Sequence, residues 1–257
     1  MNPKTIIASA VLLSATPAFA GSTLPSLTET QPVTTTDSGW RVSTAMYIWA
    51  TDLSGDMTVH GQNVPVDLGF NQLIHHMDYA FMGIVEVGKG RWSLITDLFY
   101  AKLSTENSTN LANVESELQQ FIGNFALAYR WVDTATTRFD TYAGARVNWM
   151  RTDVNITSNA GGTWSGSGDQ AWVDPIIGVR FNHNLSEKFF FRALADIGGF
   201  GVSSDLTWQA MASVGYRVNE NSSVALGYRA LGTDYSHNDL TYDVISHGLL
   251  LGYEYKF

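Results

Sequence analysis

Gly248-Leu249-Leu250-Leu251-Gly252-Tyr253-Glu254-Tyr255-Lys256-Phe257 decides how this chain is read. Counting back by twos, Phe257, Tyr255, Tyr253, Leu251 and Leu249 are all apolar or aromatic. The intervening set, Lys256, Glu254, Gly252, Leu250 and Gly248, is charged or small with Leu250 as the exception. Extended backbone turns successive side chains to opposite faces, so one face is greasy and the other polar. Soluble chains commonly fray into polar residues at their ends, whereas this stretch ends on an aromatic ring. The expectation is the closing strand of a barrel whose outside faces lipid.

The same alternation runs back to Gly39. Ten segments carry it: 40–50, 78–87, 91–103, 115–131, 138–151, 170–182, 189–201, 206–218, 224–235 and 244–257. Each is near the length that crosses a bilayer at a tilt. The fold class is therefore all-β, a closed antiparallel transmembrane barrel of about ten strands, with eight or twelve as the alternatives.

The connections alternate in length. Those at 89–90, 133–137, 185–188 and 219–223 are short, while 51–77 and the glycine-rich 159–168 are long. Charge is sorted with them. Asp52, Asp56, Asp67, Glu106, Asp153, Asp205, Asp234, Asp239 and Asp243 lie toward the long loops, and Lys89, Arg91, Arg138 and Lys188 toward the short turns. A soluble sandwich has no reason to sort its loops this way; an outer-membrane barrel does.

Before Gly39 the chain changes character. Lys4, the apolar run Ile6 to Leu13 and the small-x-small site Ala18-Phe19-Ala20 have the layout of a signal peptide over 1–20. Residues 21–38 are rich in Thr, Ser and Pro and read as a flexible periplasmic leader to a barrel over 39–257. No later run of 18 apolar residues argues for a membrane helix. The 257 residues include no cysteine, which removes disulfides and thiolate metal sites. A net charge of −9, one unit more negative without Lys4, argues against a nucleic-acid partner.

The polar faces of the strands should form the lumen. They carry Glu86, Asp97, Arg146, Arg180, Arg192, Asp196, Arg217, Arg229 and Glu254, with Arg130 and Lys256 beside them. Buried charges must pair or meet water. Two readings follow: a salt-bridged plug that holds the barrel rigid, or a thin charged pore for small solutes.

Strands of this kind, the loop asymmetry and Phe257 resemble the small outer-membrane barrels of Gram-negative bacteria, the OmpA/OmpW-like class. The segments Trp172 to Arg180 and Gly198 to Gln209 are similar to those of uncharacterised members. The resemblance implies a bacterial outer-membrane location with both termini in the periplasm. It also implies a monomer. Its partners would be outer-membrane lipid, lipopolysaccharide and the barrel assembly machinery, with Tyr253, Tyr255 and Phe257 as the assembly signal. It brings no activity with it.

The expected role is structural or surface-interacting with a largely plugged lumen. A narrow passive pore is the alternative, and an enzyme acting on lipid A or peptides is third. No cofactor, metal site or catalytic residue is expected. The enzymatic candidates are His75-His76 with Asp78, His237 with Asp239 on neighbouring loops, and Ser246-His247, whose side chains should point to opposite faces. Acidic loops would gather cations diffusely, since no calcium-loop spacing is present. Pro175 and Gly198-Gly199 should mark a local opening and a sharp bend. Residues 57–66 read as a hairpin in the first long loop and 71–77 as a helical turn.

Overall fold

The computed structural model describes residues 39–59, 62–108, 112–237 and 240–257. The signal peptide, the leader and Asp239 lie outside them. Eleven strands and one short helix make up the described chain. Their ranges are β1 Trp40–Val59, β2 Gln62–Leu68, α1 Phe70–His75, β3 Met77–Lys89, β4 Trp92–Ser108 and β5 Ala112–Asp133. Then come β6 Thr137–Ser158, β7 Thr163–Asn184, β8 Phe189–Gly199, β9 Leu206–Arg217, β10 Ser222–His237 and β11 Leu240–Lys256. All except β2 form one antiparallel cylinder, in which β11 pairs with β1 along Ser43↔Lys256 to Val59↔Leu240 and closes the sheet. The fold is a closed ten-stranded barrel. β2 pairs only with the outer part of β1, as the expected hairpin.

The outward face explains why closure is stable without a soluble shell. Met46, Ile48, Leu94, Leu127, Ile177, Val214, Leu226, Leu249 and Leu251 all point outward and lie open. A soluble monomer tolerates apolar patches of only about a few hundred Å². This belt encircles the molecule, so lipid is its solvent. Aromatic rings bound it at both edges. At the rim that holds the short turns and Phe257, the near rim, Trp92 and Trp131 each meet Tyr129 at 4.8 Å, and Tyr255 meets Phe257 at 4.9 Å. Toward the far rim, Tyr79 stacks on Tyr100 at 5.7 Å.

Beyond the belt the strands continue, and here the sequence reading needs correction. The long loops are mostly strand: β1 runs on to Val59, and β7 begins at Thr163 inside the expected 159–168 loop. What is long on that side is the ladder itself. Apolar alternation fades once lipid ends, but backbone hydrogen bonding between neighbours does not need lipid to continue.

The wall is uneven. β8 and β9 are 11 and 12 residues long, beside 22 for β7. The β7–β8 ladder stops at Ile176↔Gly198, directly after Pro175. The expected opening is thus on the β8 side, while pairing of β7 with β6 passes through Ala145↔Pro175 without a register shift. A Cβ on Gly198 would lie 2.3 Å from the Pro175 carbonyl oxygen, and Gly199 turns through φ +86°. Both are positions for glycine alone. The turn that follows folds back on β7. Ser204 donates from its backbone N and its Oγ to the Asp174 carboxylate, each at 2.7 Å.

On the outer face, just past the belt, four carboxylates fall in one row. Asp56 opposes Asp243, Asp243 opposes Asp234, and the Asp205 amide donates to the Asp234 carbonyl oxygen.

Candidate functional site: the barrel lumen

Alternation aims one side chain in two inward, and the phase of each strand decides which chemistry enters. In β6 the inward residues are Asp140, Tyr142, Gly144, Arg146, Asn148 and Met150. In β7 they include Trp172, Asp174, Ile176 and Arg180. These and their counterparts divide the lumen into two halves.

In the near half, charges reach across the barrel. Arg180 of β7 grips Glu86 of β3 with two parallel bonds of 2.6 and 2.9 Å, and it also donates to Asp140 at 2.6 Å. Such forked contacts are the strongest geometry available to a guanidinium. Arg130 completes this group, donating to Asp140 at 3.3 Å and to Asp133 at 3.2 Å. Arg192 of β8 pairs with Glu254 of β11, whose carboxylate also accepts from Ser223 at 3.1 Å.

Nearer the middle, Arg146 is wholly buried. Each of its three nitrogens donates: Nε to Asn124 at 2.7 Å, Nη1 to Thr207 at 2.7 Å and Nη2 to Asp196 at 2.8 Å. Tyr142 donates a further bond of 2.9 Å to Asp196. Arg229 of β10 reaches Asp97 of β4 at 2.9 Å, Gln209 at 2.6 Å and the Tyr47 hydroxyl at 2.8 Å. Tyr47 passes its own proton bond on to Asp97 at 2.7 Å. Asn124 joins the two arginine groups, accepting from Arg146 and donating to Asp97.

Eight of the nine residues expected in the lumen charge network thus meet an opposite charge. Arg217 takes no carboxylate partner among the described residues. It ends β9 at the near rim and donates to the Glu187 carbonyl at 2.9 Å, tying down the β7–β8 turn. Asp140 and Asp174 were not among the expected lumen residues. The signal for both was strand phase: Asp140 lies an even number of residues from Arg146, and Asp174 from Arg180.

Above the charges comes an apolar floor of Tyr47, Trp49, Met82, Ile122, Leu231 and Leu250. It accounts for Leu250, the exception on the polar face of β11. A second apolar group, Met150, Trp172, Tyr235, Tyr242 and Val244, lies toward the far rim. There Trp172 stacks on Tyr235 with ring centroids 4.3 Å apart, and Gln170 donates to the Tyr235 hydroxyl at 2.8 Å. These contacts join β7 to β10 where β8 and β9 fall short.

Between floor, wall and lid lies a cavity of about 450 Å³. Its lid is α1 with the end of β2, contributing Leu68, Phe70 and Leu73. The lid is fastened at both ends: Asp52 accepts from the Phe70 amide at 2.6 Å, and the Ser104 amide donates to the His76 carbonyl at 2.8 Å. A smaller cavity of about 100 Å³ lies among Asp97, Arg192, Arg229 and Glu254 in the near half.

Of the enzymatic candidates, His76 and Ser246 both line the large cavity. His75 is exposed at the end of α1, and Asp78 accepts from the Ser104 hydroxyl at 2.6 Å. His237 lies against the Tyr235 ring, at 6.4 Å between centroids. Ser246 faces the lumen and lines the large cavity, while His247 faces outward and shares a 2.8 Å bond with Tyr228.

No protein-family model matches this chain, and no curated protein matches it. Solved structures do. The outer-membrane protease OmpT from Escherichia coli aligns with 10% identity and a TM-score of 0.53, over 86% of this chain and 97% of its own. Ail of Yersinia pestis, in complex with the heparin analogue sucrose octasulfate, aligns at 12% identity and TM-score 0.37, over 86% and 99%. Neisserial surface protein A aligns at 14% identity and TM-score 0.33, over 86% and 98%. At such identities the likeness is one of fold: this chain has the closed-barrel fold of outer-membrane proteins.

Proposed function

We propose that this chain is a bacterial outer-membrane barrel that does not conduct, with a structural or surface-interaction role. The observation that carries the reading is the set of ion pairs reaching across the near half, Glu86–Arg180, Asp97–Arg229, Arg146–Asp196 and Arg192–Glu254. Each pair fixes two separated strands to one another; Arg146 and Arg229 are held by further neutral partners, and Arg180 by a second carboxylate, Asp140. Ions moving through would have to break buried pairs whose partners then stand uncompensated. The near rim faces the periplasm and the strand extensions face outward, the acidic row meeting the cation-rich lipopolysaccharide surface. The barrel is monomeric and non-enzymatic, and Tyr253, Tyr255 and Phe257 serve the assembly machinery as its signal.

Planar-bilayer recording tests this reading. The expected trace has no reproducible open steps; steps that change on Arg180→Ala or Asp196→Asn would replace the plug by a pore. A second reading, a narrow passive pore, is favoured by the charged cavity of about 100 Å³ in the near half. Liposome swelling separates the two, because a pore admits small solutes in order of size and a plug admits none. An unchanged lipid A mass profile on deletion is the expected result for a barrel without lipid-directed chemistry.

A further inference from the structure

The large cavity is unlike the rest of the lumen. At about 450 Å³ it lies within the range of about 300–1,000 Å³ typical of small-molecule sites. Its floor is Trp49, Met82, Phe99 and Ile122, its wall Leu118 and Met150, and its lid Phe70 and Leu73. None of this surface is needed to pair the charges, which have their partners lower down. Apolar lining of this breadth excludes a sugar or a phosphate, which would leave many polar groups unbonded.

The charge around the cavity narrows the ligand further. Neither lysine nor arginine lines it, and its one carboxylate, Glu117, is held by Lys102 at 2.8 Å and by Gln119 at 2.6 Å. An anionic ligand would meet no fixed countercharge, and a cationic one would have to take Glu117 from Lys102. The remaining polar lining, nine residues that include Thr51, Gln72, His76, Gln120 and Ser246, is neutral or imidazole.

The polar lining offers an uncharged oxygen hydrogen-bond partners among Thr51, Gln120 and Ser246, and it offers an ion no free countercharge.

We propose that this cavity binds an uncharged apolar molecule carrying one hydroxyl or carbonyl oxygen, a long-chain alcohol being the type, with the oxygen among Thr51, Gln120 and Ser246 and the chain under α1. This goes beyond the closed-lumen reading and does not depend on it, since the cavity lies above the charge layers. Affinity should rise about fourfold for each methylene until the chain fills the cavity.

The test is photolabelling of the full barrel in lipid nanodiscs with a diazirine-bearing octanol, with adducts mapped by mass spectrometry. Adducts on Phe70, Leu118 and Met150 are expected, and excess 1-decanol should remove them. Decanoate and decyltrimethylammonium should compete at least tenfold less well. Labelling of Leu94, Leu127 and Leu249 on the lipid belt should persist under the same competition. Gln120→Met should weaken 1-decanol several-fold and decane much less. Should that variant not fold, the competition series on the unaltered protein still decides. Adducts confined to the belt, or equal competition by decanoate, would overturn the proposal. Conductance is a separate readout, so failure here leaves the closed-lumen reading to stand or fall alone.

Discussion

The two halves of the lumen are filled by different physics. In the near half, arginines and carboxylates from separated strands meet in fixed directions, and little space is left. In the far half, rings and methyl groups pack without direction, and a cavity of about 450 Å³ remains. Directional pairs join particular atoms and so specify which strands face one another. Non-directional packing tolerates a void, because a missing neighbour forfeits dispersion and nothing else. The half that fixes the shape is thus not the half with room for a guest.

The largest expected effect breaks the near half. Arg146→Met leaves Asp196 buried without its countercharge and should lower stability by about 3–5 kcal/mol, read as a shifted urea midpoint for folding into liposomes. Adding Asp196→Leu to it should recover most of the loss, because both charges are then gone.

In the apolar floor no second change can rescue the first. Leu231→Ala removes a side chain that is 3% exposed and should cost about 2–5 kcal/mol in the same assay, with no charged partner to delete in compensation. A rescue by any polar deletion would erase the distinction between the halves.

At the far rim the effects shrink. Tyr235→Phe keeps the stack on Trp172 and removes the bond from Gln170, for a loss of about 1 kcal/mol.

The smallest effect concerns the acidic row beyond the belt. Partial burial raises the Asp234 carboxyl above its ordinary range, and Asp243 and Asp205 push the same way. A raised carboxylate contributes most favourably below its unfolded value of about 3.9, and that contribution is lost as pH rises through the higher folded value. Asp234→Asn should therefore stabilise the barrel at neutral pH by about 0.2–1 kcal/mol, and the gain should vanish in acid. A gain that persists at low pH would assign the effect to packing.

Much of this fold was legible because period-two patterning reports burial directly. Every barrel strand announced itself by an outward apolar row, and Phe189, Phe191, Ala193, Ala195 and Ile197 fall on one face of β8 as the alternation requires. Pro175 and Gly198-Gly199 marked the opening between β7 and β8, since neither residue type fits an ordinary ladder there. Strand ends were less legible. Beyond the lipid belt, segments such as Thr163 to Gly168 carry one aromatic, Trp164, among Ser, Thr and Gly, and so no apolar row separates ladder from loop.

The lumen was legible as a set of charges and not as a layout. Which arginine meets which carboxylate depends on shear and register between strands far apart in sequence, as in Glu86 with Arg180. Asp140 went unnoticed although its phase was readable. The apolar floor was missed for a different reason. Trp49, Met82, Ile122 and Leu250 alternate with equally apolar outward neighbours, so hydrophobicity alone does not say which face is the lumen.

The most direct test of the closed lumen is an experimental map of the barrel in lipid at a resolution that places ordered waters. The account predicts waters among the charged groups that do not connect the two rims, with Arg146 bonded to Asp196 and Arg229 to Asp97. A continuous file of water from rim to rim past those two pairs would contradict it.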